Sequence, residues 1–351
     1  MAYTTIDNPE LFFQTVLWTG NGSSSRSITL DGSEDMQPDW TWIKSRTGSE
    51  STQQHYLYDS VRGATKYLQS STLNAEGTKS NGLSAFASDG FTVGDDNANN
   101  ASSSTYVAWN WKAGGSASSN GNGSITSSVS VSTDAGFSIV SYTGTGSNAT
   151  VGHGLGAVPS MIITKARTPS GRSWGVYHAS LGNTKNLYLD GNDAVSTGGT
   201  FWNSTTPTSS VFSVGTAGDS NGSTYTLIAY CFAEKKGYSK FGSYTGNDNA
   251  DGTFIYTGFA PAWVMIKRTN STNDWLILDR KRNTINPSDE RLLANSSNAA
   301  STANTMVDFL SNGFKPRSTY GGINGASDNF IYMAFAESPF VNSNGIPNNA
   351  R

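Results

Sequence analysis

A proline followed six residues later by a lysine, with mostly apolar residues between them, occurs three times in this sequence. The copies are PDWTWIK from Pro38 to Lys44, PSMIITK from Pro159 to Lys165 and PAWVMIK from Pro261 to Lys267. The lysines are 121 and 102 residues apart, and 47 residues behind each stands a phenylalanine: Phe91 in SDGFTVG, Phe212 in SSVFSVG and Phe314 in SNGFKPR. Trp111, Phe232 and Phe335, in the runs STYVAWNWKAG, STYTLIAYCFAEKKG and DNFIYMAFAESPF, follow those phenylalanines by 20, 20 and 21 residues. The turns WTGNGS, YTGTGS and YTGNDN complete the pattern. A period of this length means copies of one supersecondary unit, and it constrains every later assignment.

The first period exceeds the second by 19 residues. The surplus falls in GGSASSNGNGSITSSVSVSTDAG, Gly114 to Gly136, whose composition predicts a flexible linker. Elsewhere β-branched and aromatic residues alternate with polar ones or form short unbroken runs, which is the pattern of strands. Trp40 and Trp42 fall on one face of such a strand, with a proline suited to its start. In TLIAYCF both faces are apolar, as in a strand covered on both sides.

The predicted fold is therefore all-β: three tandem antiparallel β-sandwich repeats of jelly-roll or lectin-like type, each about 100 residues with its own core. The boundaries are 1–113, a linker at 114–136, 137–236, 237–340 and a C-terminal tail at 341–351. Short helices are expected only in NPELFFQTVL and ANTMVDFLSNG. Trp40 and Trp42 read as core rather than as a sugar platform, because the matching positions hold Met161 and Ile163, then Trp263 and Met265.

Charged residues make up 14% of the chain and the formal net charge is −3. No basic face is available to track a polyphosphate, so nucleic acid is not an expected partner. Cys231 is the one cysteine, so no internal disulfide can form. No apolar run approaches the roughly 18 residues of a spanning helix, which argues against membrane insertion. The N-terminal stretch lacks the features of a secretory signal, so synthesis and folding are expected in a cytoplasm.

The search for chemistry yields little. His55, His153 and His178 have no histidine at matching positions and no metal-ligand spacing, and read as surface or turn residues. GHGLGAVP, Gly152 to Pro159, lacks the lysine and helix of a phosphate loop. Asp95 with Asp96, and Asp289 with Glu290, are candidate carboxylate pairs, but they lie in polar loops. Asp95, Asp96, Asn97, Asp248, Asn249 and Asp251 offer oxygen ligands for calcium without an EF-hand spacing, and read as solvated turns. YDSVRGATK predicts a turn with an Asp59 to Arg62 contact and Gly63 at positive φ, a turn whose charges change in YHASLGNTK and LDRKRNTIN. No catalytic, cofactor-binding or metal-binding residue is assigned, and no enzyme activity or cofactor is expected.

MQPDWTWIKSR, YLYDSVRGATKYL, FASDGFTVG and STYVAWNWKAG, in that order, resemble a recurrent module of tailed-bacteriophage virion proteins, especially of phages of marine bacteria and cyanobacteria. SYTGTGSNATVGHGLGAVPSMIITKAR resembles the partner module of the same proteins, while the third unit is similar only loosely. The resemblance implies a non-enzymatic structural protein of the virion surface, by preference a capsid decoration. A tail fibre or host-glycan-binding (receptor-binding) protein is the alternative, and a glycan depolymerase the remoter one. Implied partners are other virion proteins, major capsid or tail, with self-association and a host surface glycan as further options.

Overall fold

The computed structural model describes residues 3–47 and 53–348. The β-branched and aromatic alternation becomes strands, and the protein is all-β, with six antiparallel sheets among the described residues. Each third of the chain supplies one large and one small sheet. In the first third the large sheet runs Phe13–Thr19, Thr105–Trp111, Trp40–Ser45, Tyr56–Asp59, Lys66–Gln69, Gly77–Thr78, and the small one joins Arg26–Ile28, Gly90–Val93 and Leu83–Ala87.

In the middle third the order is Ser118–Asn120, Ser127–Ser132, Phe137–Thr143, Thr226–Phe232, Met161–Ala166, Trp174–His178, Lys185–Tyr188, Ser196–Thr197, with Ala149–Gly152 paired to Val211–Val214. In the last third it is Ser239–Thr245, Asn329–Pro339, Phe259–Arg268, Leu276–Asp279, Leu292–Leu293, with Ile255–Tyr256, Gly313–Pro316 and Val307–Leu310. Pro261 sits in Phe259–Arg268 where the register shifts, the irregular position that a residue without an N–H tolerates.

The long aromatic strand of each third explains where the cores lie. Side chains alternate across a strand, so Ile228, Tyr230 and Phe232 face one way and Leu227, Ala229 and Cys231 the other. The second set fills a core between the large and small sheets of its own third. The first set enters a central core to which all three thirds contribute: Trp40, Trp42, Trp109 and Trp111, then Met161, Ile163 and Tyr230, then Trp263, Met265 and Phe335. Trp40 stacks on Tyr230 with ring centroids 4.4 Å apart.

This corrects three expectations. Each unit does have a core of its own between its large and small sheets, but it is not self-contained, because the other face of each large sheet is buried only in the central core shared with the other two. The segment 114–136 is not simply a flexible linker: Ser118–Asn120 and Ser127–Ser132 extend the middle sheet by two strands. The expected helices also differ. NPELFFQTVL forms one 3-10 turn, Pro9–Leu11, and then a strand, and ANTMVDFLSNG forms the strand Val307–Leu310. The four-residue helices lie at Asn97–Asn100, Gly218–Asn221 and Gly321–Asn324, at matching places in the three thirds.

Candidate functional site

Strand register places Asp59 opposite Trp40, His178 opposite Met161 and Asp279 opposite Trp263. Each of these polar residues is fully buried and reaches the next third of the chain. Tyr230 donates its hydroxyl hydrogen to Asp59 Oδ2 at 2.7 Å, His178 Nε2 donates to the Tyr332 carbonyl at 3.2 Å, and Trp109 Nε1 donates to Asp279 Oδ2 at 3.0 Å. First meets second, second meets third, and third meets first.

A second set crosses the same three junctions. Trp174 Nε1 donates to the Gln69 carbonyl and Trp275 Nε1 to the Tyr188 carbonyl, both at 2.8 Å. At the remaining junction His55 takes the indole's place: Trp42 Nε1 donates to its Nδ1 at 2.7 Å, and its Nε2 donates to the Leu293 carbonyl at 2.9 Å. Backbone amides make a third set, from Glu76 to the Arg167 carbonyl, Val195 to Thr269 and Ala300 to Arg46, at 2.8 to 3.1 Å. Head-to-tail contacts of this kind close a ring when the rotation closes.

Charges reinforce two of the junctions. Arg62 pairs with Asp59, and Glu76 bridges Arg62 to Arg167. Arg282 pairs with Asp279 at 2.5 Å, and Glu290 bridges Arg282, at 3.8 Å, to Arg46 at 3.0 Å. The charges of this turn therefore persist in two copies of three, a match that reading LDRKRN without its strand register concealed. Gly63 does take the expected positive φ, at 98°.

Lys44, Lys165 and Lys267, the ends of the recurrent heptapeptide, are fully buried. Lys44 Nζ donates to the carbonyls of Gln53 at 2.7 Å and Ser297 at 2.9 Å, Lys165 Nζ to that of Arg172, and Lys267 Nζ to those of Asn192 at 3.3 Å and Arg268 at 2.6 Å. Burial disfavours the ammonium and pulls the three lysines down to about 7, about 8 and about 8. Amines of such pKa can act as nucleophiles when reachable, but these are sealed from solvent.

The histidines correct another expectation, because all three are fully buried. In each, Nδ1 accepts a hydrogen bond and Nε2 faces a carbonyl; in His153 these are the Leu155 amide and the Thr208 carbonyl. Burial holds the imidazoles neutral, His55 well below its ordinary range and His178 at about 4. His153 folds GHGLGAVP into a turn.

The carboxylate candidates are dispersed. Asp95 accepts from Asn81, Asp96 pairs with Lys79 at 2.9 Å, and Asp289 accepts from Asn283. Asp251 pairs with Lys315 and Arg317. Asn97 opens a helix, Asp248 lies at φ 52°, and Asn249 Oδ1 accepts the Asp251 amide at 2.8 Å. Among the described residues no group of three or more His, Cys, Asp or Glu side chains is placed to hold a metal, and no helix is long and apolar enough to cross a membrane. Burial raises the Cys231 thiol far above its ordinary range.

Sequence reasoning missed one set altogether. Asn100, Asn221 and Asn324 end the three short helices with side chains buried. Each Oδ1 accepts a backbone amide of the recurrent turn, from Asn21, Thr145 and Asn247, and each Nδ2 donates to a carbonyl of that turn, at Ser23, Ser147 and Asn249. The glycine of the turn is required by contact: a Cβ on Gly20 would lie 2.0 Å from the Ala101 carbonyl oxygen.

Residues 8–339 match a family described as a domain of unknown function, DUF7483. The chain belongs to that family. The match runs through all three sheet pairs. No curated protein matches the sequence.

Proposed function

We propose that this DUF7483 chain is a non-catalytic structural protein of a tailed-bacteriophage virion surface, a capsid decoration by preference. In this reading it consists of three tandem jelly-roll or lectin-like β-sandwich repeats closed into one body. The observation that carries it is the ring of junctions: buried polar groups that could do chemistry are spent on holding the repeats together. Asp59, His178 and Asp279 bind a neighbouring repeat, and the three buried lysines bind backbone carbonyls. Such a body survives dilution without disulfides, and its low charge suits close packing of many copies on a particle.

The partners in this reading are major capsid or tail proteins, met after synthesis in the host cytoplasm. Purified protein should attach to assembled particles, weaken little as salt rises, and turn over no sugar, ester or nucleotide. Imaging of labelled protein on intact particles tests the location; failure to bind particles or any isolated virion protein overturns the reading.

One feature favours receptor binding as a second reading. Phe254 and Tyr256 flank the buried Ile255 where the strand Ile255–Tyr256 begins and are 44% and 52% exposed, where the matching positions hold Ser27 and Thr29, then Thr150 and Gly152. Two adjacent exposed rings are a surface on which sugars stack. Binding on a glycan array that disappears in Phe254→Ala/Tyr256→Ala would favour this reading, and release of reducing ends from host polysaccharide would favour a depolymerase.

A further inference from the structure

We propose that the open edge of the strand Phe13–Thr19 is a site for strand addition by an extended segment of a partner protein, in which small polar and β-branched residues alternate. The molecule supplies its own template. In the middle third the matching strand, Phe137–Thr143, is covered by Ser127–Ser132, whose sequence SSVSVS pairs Ser128 with Ser141 and Ser130 with Ile139. Among the described residues the sheet of the first third ends at Phe13–Thr19, with no such strand.

The backbone pattern defines what is on offer. Lys112 donates to the Phe12 carbonyl and Gly20 to that of Ser104, so even-numbered residues of this strand face Thr105–Trp111. The amides and carbonyls of Thr15 and Leu17 therefore point outward, as those of Ile139 and Ser141 do toward their added strand. A groove of about 250 Å³ lies beside the N-terminal half of the strand, bounded by Gln14, Thr15, Asp31, Gly32, Arg280 and Lys281. Within the strand the Thr15 hydroxyl is buried and unpartnered.

Exposed edges are ordinarily protected by a charge, a proline or a bulge. FQTVLWT has no charged residue or proline and pairs in unbroken register, whereas the matching edge in the last third, Ser239–Thr245, carries Lys240. The strand itself therefore carries no protecting residue, and main-chain hydrogen bonds with side-chain alternation are the means by which such edges bind peptides.

The test uses the full chain and a peptide of its own residues 125–133, ITSSVSVST, as probe, read by amide hydrogen exchange. The Thr15 and Leu17 amides should exchange freely alone and slow at least tenfold with peptide at millimolar concentration. A peptide N-methylated at Ser128 and Ser130 should give no protection, and Leu17→Pro should abolish the effect while Leu17→Ala keeps it. Proline at an outward-facing edge position removes no ladder bond. No protection by the unmodified peptide, or equal protection by the methylated one, overturns the proposal. Dimerisation of the chain without peptide, lost in Leu17→Pro, would put a second copy on this edge and overturn the assigned occupant.

Discussion

Trp174 donates its indole hydrogen to the main-chain carbonyl of Gln69 at 2.8 Å, across the junction between the middle and first thirds of the chain. Phenylalanine at this position keeps most of the ring's burial but leaves that carbonyl without its donor. Trp174→Phe should cost about 1 to 3 kcal/mol, the penalty of an unsatisfied buried polar group. Urea unfolding measures it, and the loss should appear in one transition for the whole chain.

Trp42 should be costlier. Trp42→Ala removes a fully buried ring from the central core and also the donor that holds His55 toward Leu293. A loss of roughly 3 to 5 kcal/mol is expected. The diagnostic result is that near-ultraviolet signals from all three thirds fade together, since a core confined to the first third would leave the others intact.

Fragments should fail alone. Residues 1–113 would expose Trp40, Trp109 and Trp111, which in the intact chain pack against Tyr230, Phe232, Trp263 and Phe335. The isolated fragment should bind a hydrophobic dye and lack sharp amide resonances, and mixing with residues 114–351 should restore folding. A well-dispersed spectrum from 1–113 alone would show that its own two sheets suffice.

Asp279→Ala leaves Arg282 in a fully buried site without its nearest charge and removes the acceptor of the Trp109 indole. Breaking a buried pair from one side costs on the order of 3 to 5 kcal/mol. Asp59→Ala should behave alike through Arg62 and Tyr230. His178, the neutral counterpart, should tolerate asparagine better than either aspartate tolerates alanine.

The pH dependence follows from the buried bases. Lys44, Lys165 and Lys267 have folded pKa values of about 7, about 8 and about 8, below the ordinary 10.5, so between those limits the unfolded chain binds more protons. Stability then rises with pH, by at most about 1.4 kcal/mol per pH unit for each lysine. It is lost as pH falls through the folded values. His178, lowered to about 4, adds a further loss between pH 6.5 and 4. Lys44→Met should flatten the alkaline slope; an unchanged slope in chemical denaturation from pH 7 to 10 would show that Lys44 is charged when folded.

How much was legible can be seen in particular residues. The heptapeptide ending in Lys44 marks a strand because its apolar residues alternate and its proline lacks an N–H, both local properties. The alternation in TLIAYCF likewise announces two covered faces. It says nothing of which partners cover them: Tyr230 and Cys231 look alike in sequence, yet one enters the shared core and the other a core within its own third. The hairpin in 114–136 was hidden because Ser, Gly and Asn have weak strand propensity, and SSVSVS is held by pairing with Phe137–Thr143. Asn100, Asn221 and Asn324 escaped notice because polar residues in polar loops carry no pattern until the turn they bind is seen beside them.

Period, propensity and side-chain apolarity are local properties, and they were enough to announce the strands, the recurrence of the heptapeptide and the residues destined for burial. That the three sheet pairs share a central core and close on one another is settled only in three dimensions. That outcome depends on contacts between residues more than 100 positions apart, such as Trp174 with Gln69 and Trp109 with Asp279. A hydrogen bond across a junction has no local signature: its donor and acceptor are ordinary side chains and carbonyls until the fold brings them within 3 Å.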